Sequence, residues 1–208
     1  MFSLPRGMLF PLRFQRCGAT LIERMVGIVI VAILMALGMP TFSSWIQNTH
    51  IRSGAESIQA GLQLARTEAV HRNTNVSFII NGTTAGWTVR CDVAANCSDL
   101  ANAPTIQTKP AGEGSARAVI ATSETGPTSP SVFVGTLSFN GFGRINLASL
   151  NVGNVANFDV SNPTGGACNT SSGSQPMRCL RVRVTTNGEV SMCDPSVTFN
   201  ANTSPQGC

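Results

Sequence analysis

The chain has 208 residues, of which 42% are hydrophobic and only 12% charged, a composition that excludes an intrinsically disordered protein. Its many Gly, Ser, Thr and Asn residues indicate strands and turns rather than a helical bundle. Three of the 14 basic residues, Arg6, Arg13 and Arg16, lie at the front, and the other 11 stand against 10 acidic residues. This near balance excludes a global basic field that would attract nucleic acid.

A long apolar segment follows the basic front. Met25 to Met39 is uninterrupted, and no Asp, Glu, Lys or Arg occurs between Arg24 and Arg52. This run is shorter than the roughly 20 apolar residues that a membrane-spanning helix needs. Ala19–Ile22 before it and Thr41–Ile46 after it lengthen it, so we predict a transmembrane helix at about 20–46. The arginines ahead of it keep that end cytoplasmic and place the chain from residue 50 onward outside.

Glu23 stands at the start of this segment. A carboxylate inside hydrocarbon costs on the order of 3 kcal/mol. Arg24 is a poor partner, because adjacent helical residues point in different directions. Two hypotheses remain open: Glu23 lies at the headgroup boundary, or a partner charge reaches it when the protein assembles.

The stretch "GATLIE" before an apolar helix resembles the class III signal of type IV pilins and type II secretion pseudopilins. The resemblance implies that a prepilin peptidase cuts between Gly18 and Ala19 and methylates the amine of Ala19. It also implies that Glu23, the fifth mature residue, neutralises the amine of a neighbouring subunit. Pro40 stands where pilin helices commonly carry a proline, whereas Arg24 departs from the apolar residue that is usual there.

The helical pattern continues beyond Pro40 to Asn73. One apolar stripe recurs at steps of three and four residues; its members are Ile51, Ala55, Ile58, Leu62, Ala65 and Ala69. We therefore predict a helix over 19–73, kinked at Pro40, whose second half packs on a sheet. The segment "LQLARTEAVHRN" resembles the corresponding segment of the GspH/FimT subfamily.

Residues 74–208 predict a β-rich domain with short strands and Gly, Asn and Pro turns. The segments read as strands are "VSFII", "GWTVRC", "SVFVGTLSF", "GRINL", "NFDV", "CLRVRV" and "EVSMC". "LSFNGFGRI" resembles a strand-turn of the same subfamily, with Phe139 in the core and Gly143 at a turn. The expected fold class is α+β, a type IV pilin fold with a long N-terminal helix, membrane-anchoring and then amphipathic, packed on antiparallel β-sheet.

The last two strands predict a hairpin with a three-residue loop, Thr186–Gly188, and Gly188 in the left-handed conformation. The predicted cross-strand pairs are Val184 with Val190, Val182 with Met192, Arg183 with Ser191, and Arg181 with Cys193. A two-residue loop would instead oppose Met192 to Arg183 and spoil the apolar face.

Six of the seven cysteines follow the apolar segment, which indicates disulfides in an oxidising compartment. No Cys/His spacing typical of a zinc site occurs, so we predict no metal. The predicted register places Cys179 diagonal to Cys193, which disfavours a bridge between them. Local pairs are favoured among the 15 connectivities that remain open: Cys91–Cys97, Cys168–Cys179 and Cys193–Cys208.

No catalytic constellation occurs, so we predict a protein that is not an enzyme and needs no cofactor. DNA binding is the main alternative, because some FimT-like proteins carry a basic "GRxR" motif in the C-terminal hairpin and resemble DNA receptors. Here Glu189 stands at the corresponding place, which disfavours phosphate contact. The possible DNA patch would consist of Arg178, Arg181 and Arg183.

The overall expectation is a minor type IV pilin acting in pilus initiation or in a tip complex, which supports pilus biogenesis and twitching motility. Its leader would be 1–18, its helix 19–73 and its periplasmic domain 74–208, on a single-pass protein of the bacterial inner membrane. Expected partners are other minor and major pilins and the prepilin peptidase. The alternatives are a minor pseudopilin of type II secretion and a DNA-binding pilin of natural transformation.

Overall fold

A computed structural model describes residues 20–97, 99, 104–125, 135–150, 154–169 and 175–208, with only the helical backbone described for 37–41. The chain forms two compact units, Met1–Pro40 and Thr41–Cys208. The predicted leader 1–18 and the bond between Gly18 and Ala19 lie outside the described residues.

The N-terminal helix, α1, runs from Leu21 to Arg72 and agrees with the predicted helix to within two residues at each end. Up to Ala36 its described side chains are exposed to solvent. None of the described helical residues form a segment that meets the length and hydropathy requirements for crossing a membrane. The span at about 20–46 and the kink at Pro40 stay predictions.

The C-terminal end of α1 is closed by its own backbone. Asn73 adopts a left-handed conformation with φ of 48°. The Thr74 amide donates to the Ala69 carbonyl at 3.2 Å, and the Asn73 amide donates to the Val70 carbonyl at 3.3 Å. These two bonds form a Schellman motif, which satisfies carbonyls that would otherwise lack partners and ends the helix where the sequence predicts.

The amphipathic stripe of α1 is confirmed as the helical side of the core. All six of its predicted members are 0% exposed. Burying an Ile or Leu side chain stabilises a fold by about 2 kcal/mol. This half of the helix is therefore held by packing rather than by its intrinsic helix propensity.

The described residues form eight strands in two antiparallel four-stranded sheets, ordered β3-β2-β1-β5 and β4-β6-β7-β8. Their bounds are β1 Val76–Ile80, β2 Trp87–Cys91, β3 Thr105–Lys109, β4 Val119–Thr125, β5 Thr136–Phe139, β6 Val155–Ser161, β7 Leu180–Thr185 and β8 Val190–Cys193. The prediction of a strand at "GRINL" is wrong. This segment makes only an isolated bridge between Phe139 and Ile145, and a 3-10 turn then covers Leu147–Ser149.

A glycine brings the helix close to the first sheet. A Cβ on Gly61 would stand 2.6 Å from the Phe78 ring and 2.9 Å from that of Trp87, so only glycine fits there without displacing a ring. Phe78 also meets Phe158 of the second sheet edge-to-face, at 5.8 Å between ring centroids. The core thus joins helix and both sheets around Phe78.

The C-terminal hairpin has the predicted register. Val182 pairs with Met192 and Arg183 with Ser191, as expected for a three-residue loop. Gly188 has φ of 76°, which is the left-handed conformation. Phe139 is fully buried and Gly143 has φ of 71° at a turn, so both of those predictions are confirmed.

Candidate assembly surfaces

The first turn of α1 carries two charges. The Thr20 hydroxyl accepts from the Glu23 amide at 3.4 Å, and the Thr20 carbonyl accepts from the Arg24 amide at 3.2 Å. Thr20 therefore caps the helix, and Glu23 stands near its positive end, which suits a carboxylate. Neither Glu23 nor Arg24 has an ion-pair partner in the described part of the chain.

Large apolar side chains cover every side of α1 in its first four turns. Leu21 is 76% exposed, Ile28 70% and Leu34 63%. A helix that is apolar all round is stable in water only when other apolar material covers it. The exposed apolar surface of residues 21–36 therefore needs cover from other apolar material.

The six cysteines after α1 form three disulfides in the structure, and they match the local pairs that the spacing favours: Cys91–Cys97, Cys168–Cys179 and Cys193–Cys208. The third bridge closes the C-terminal loop onto the end of β8. This bridge joins cysteines 15 residues apart. It stabilises the fold mainly because it restricts the conformations of the unfolded chain.

Asp194 organises that C-terminal loop from inside. Its side chain is only 4% exposed, and its carboxylate accepts from Arg178 Nε at 2.8 Å. The Ser196 amide and hydroxyl donate to the same carboxylate at 2.9 Å and 2.6 Å. Burial raises the pKa of the Asp194 carboxyl, but the hydrogen bonds from Ser196 and Arg178 outweigh it and hold the pKa below its ordinary value of 3.8.

Asp194→Asn should destabilise the folded chain by about 2 kcal/mol near neutral pH, the usual worth of hydrogen bonds to a buried charge. Because the folded pKa is lowered, the charge stabilises the fold above 3.8, and this contribution is lost as the pH falls through the folded value. Urea unfolding of the wild-type protein and of Asp194→Asn, at roughly pH 7 and pH 3, measures the difference in their free energies of unfolding. An equal difference at both pH values would contradict this role of the charge.

The three arginines of the possible DNA patch have different surroundings. Arg178 binds Asp194, whereas Arg181 donates to Asp159 through Nε at 2.6 Å and Nη2 at 3.1 Å. Arg183 stands next to Asn157 across the sheet and has no carboxylate partner among the residues that the structure describes. Carboxylates thus neutralise two of the three charges, which disfavours binding to phosphates.

Sequence reasoning did not find the two carboxylates that hold these arginines. Asp194 follows a predicted strand directly, and Asp159 lies inside the predicted strand "NFDV", so their partners depend on tertiary placement. Within the described ranges no cluster of His, Cys, Asp or Glu could hold a metal ion.

The long N-terminal helix, with an exposed apolar first part and a second part packed on antiparallel sheets, is the type IV pilin fold, and this fold defines a class of filament subunits. Residues 54–206 match the family model described as Type II transport protein GspH. Since the match covers well over half of the chain, the protein belongs to the GspH family of minor pilins and pseudopilins.

Comparison with solved structures finds chains that are distant in sequence. The type IV minor pilin FimU of Pseudomonas aeruginosa is 17% identical, with a TM-score of 0.45 over 76% of this chain and 94% of that one. The minor pseudopilin EpsH from the Type 2 Secretion System of Vibrio cholerae is 14% identical, with a TM-score of 0.46 over 71% and 99%. Comparison with curated proteins finds no significant match.

Proposed function

We propose that this protein is a minor type IV pilin that acts in the initiating or tip complex of a pilus and so supports pilus biogenesis and twitching motility. A prepilin peptidase removes residues 1–18 by cutting between Gly18 and Ala19, and the amine of Ala19 is methylated. The mature chain is held in the bacterial inner membrane by the first half of α1, with 74–208 in the periplasm, until it joins other minor and major pilins.

One observation carries this proposal: the two parts of α1 have opposite surroundings. The stripe from Ile51 to Ala69 is buried against the protein's own sheets, whereas the apolar residues from Leu21 to Ala36 are exposed. Among the described residues of its own unit, none covers this exposed part. Lipid before assembly, and the helices of other subunits after it, supply the missing cover.

Arg24 supports a low copy number. If many copies packed side by side, each would carry an additional positive charge into the apolar helix bundle. A charge in hydrocarbon costs on the order of 3 kcal/mol. One such subunit at the start or tip of a filament is tolerable, whereas a shaft built from them accumulates the cost with every copy.

Type II secretion is the second candidate, because the matching family model is described as a Type II transport protein. In that case the chain is a minor pseudopilin, and the same helix joins a pseudopilus. A pilin and a pseudopilin would use the same helix and the same domain for assembly. The two candidates are therefore distinguished by the phenotype of a deletion rather than by a contact within the structure.

Deleting the gene and measuring twitching motility together with exoprotein secretion tests the choice. We expect loss of surface pili and of twitching, with secretion unchanged and both defects restored by the wild-type gene. Loss of secretion with intact pili would overturn the pilus assignment and favour the pseudopilus.

A further inference from the structure

The proposed function gives Arg24 no binding partner. This arginine is the last Asp, Glu, Lys or Arg before Arg52, within a helix whose neighbouring side chains are large and apolar. An arginine in such surroundings is costly unless a carboxylate or other acceptor meets its guanidinium. No described residue of this chain supplies one.

Arg24 borders a shallow, open groove on the surface of α1. Arg24 lines it with Gly27, Ile28 and Val31, which follow at three, four and seven residues and so share one helical face. A Cβ on Gly27 would meet nothing within 4 Å, so the backbone is uncovered at this point. Small residues at such a place let a second helix approach closely.

Glu23 and Arg24 serve different neighbours. Consecutive residues of an α-helix point about 100° apart, so a helix seated in the groove of Arg24 lies away from the Glu23 carboxylate. Under the proposed function the Glu23 carboxylate meets an amine. The arginine therefore needs a carboxylate from a separate source.

We propose that the groove formed by Arg24, Gly27, Ile28 and Val31 selects one particular neighbour, namely the apolar helix of a different filament subunit that carries an unpaired carboxylate near its end. This inference rests on the proposed function, since it requires assembly into a filament. Charge complementarity identifies the occupant: a carboxylate offers the guanidinium two parallel hydrogen bonds. A second copy of this chain does not fit, because its Glu23 is already engaged.

Photo-cross-linking in living cells tests the groove in the full-length chain. Benzoylphenylalanine replaces Val31, which lines the groove, or in a matched control Val29, which lies on another face of the helix. We expect Val31 to capture a distinct subunit and Val29 not to capture it. Arg24→Leu should lower this capture at least tenfold, whereas Arg24→Lys retains part of it because the charge remains.

The captured peptide, identified by mass spectrometry, should contain a carboxylate within the partner's apolar helix. Replacing that carboxylate with its amide should act like Arg24→Leu, and exchanging the two charges should restore capture. Membrane fractionation shows that each variant is inserted and cleaved. Unchanged capture in Arg24→Leu, capture of a second copy of this chain, or capture of lipid alone would overturn the proposal.

The two proposals fail in distinguishable ways. If the captured subunit belongs to a secretion pseudopilus, the pilus assignment fails and the role of Arg24 stands. If Arg24→Leu enters pili with the same cross-links as wild type, the role of Arg24 fails and the pilus assignment stands.

Discussion

Glu23→Ala is expected to lower the amount of this protein in sheared filaments by roughly 100-fold while leaving it inserted in the membrane and cleaved at Gly18. Removing one partner of a buried ion pair costs about 3–5 kcal/mol, because the other charge stays buried without a partner. Under the proposed function, the charge left behind is the amine of a neighbouring subunit. Immunoblots of sheared filaments and of membranes from the same cells measure the ratio.

Glu56→Ala is the matched control. Glu56 is also a carboxylate of α1, but it is paired with Arg52 at 2.8 Å on an exposed surface, where such pairs contribute little. This variant should enter filaments at the wild-type level. Normal assembly of Glu23→Ala would remove the argument that its charge awaits a partner.

Gly188→Ala should be among the most destabilising single changes in the C-terminal hairpin. A Cβ at this position would overlap the carbonyl oxygen of Gly143, and the backbone has φ of 76°, which alanine adopts with strain. The strain costs about 1–2 kcal/mol and the overlap adds about 1–3 kcal/mol. Arg66 Nε donates to the same carbonyl at 3.1 Å, so a shift of this turn also disturbs its contact with α1.

Gly82→Ala separates the two causes. Gly82 has nearly the same φ, 77°, but a Cβ there would meet nothing within 4 Å. We expect a loss of about 1 kcal/mol for Gly82→Ala and about 2–5 kcal/mol for Gly188→Ala, from urea unfolding of a soluble chain that begins at Thr41. Equal losses would show that the Gly143 turn moves aside freely.

The parts of the fold that follow from the sequence are those set by local periodicity. The apolar stripe of α1 can be predicted from the sequence, because a helix of 3.6 residues per turn with one buried face has a regular apolar pattern. The register of the last hairpin can be predicted as well, because a one-residue slip would turn Val182 and Val184 away from the core. Chain proximity likewise favours the three disulfides that the structure contains.

The parts that escaped prediction depend on neighbours that are distant in sequence. β3, Thr105–Lys109, is an edge strand with no fully buried residue, so it lacks the alternation that marks a strand. β4, Val119–Thr125, is polar for a strand and buries Glu124, which no pattern of apolar residues reveals. Missing both strands hid the division into two sheets.

The candidate assembly surfaces also contain one feature that the sequence reveals and one that it does not. Glu23 is conspicuous because a carboxylate beside an apolar run contradicts its surroundings. The ion pair between Arg181 and Asp159 cannot be seen in the sequence, because the two residues are 22 positions apart and meet only when their strands pair. Three arginines on and just before one strand therefore suggest a basic patch that the folded chain largely neutralises.

The mature N-terminus in purified filaments is the decisive measurement for the proposed role as a pilin. Sheared filaments are digested, and mass spectrometry searches them for the N-terminal peptide of this chain. We expect a low-abundance peptide that begins at N-methylated Ala19. Filaments that lack the chain, while membranes of the same cells retain it with residues 1–18 attached, would contradict that role.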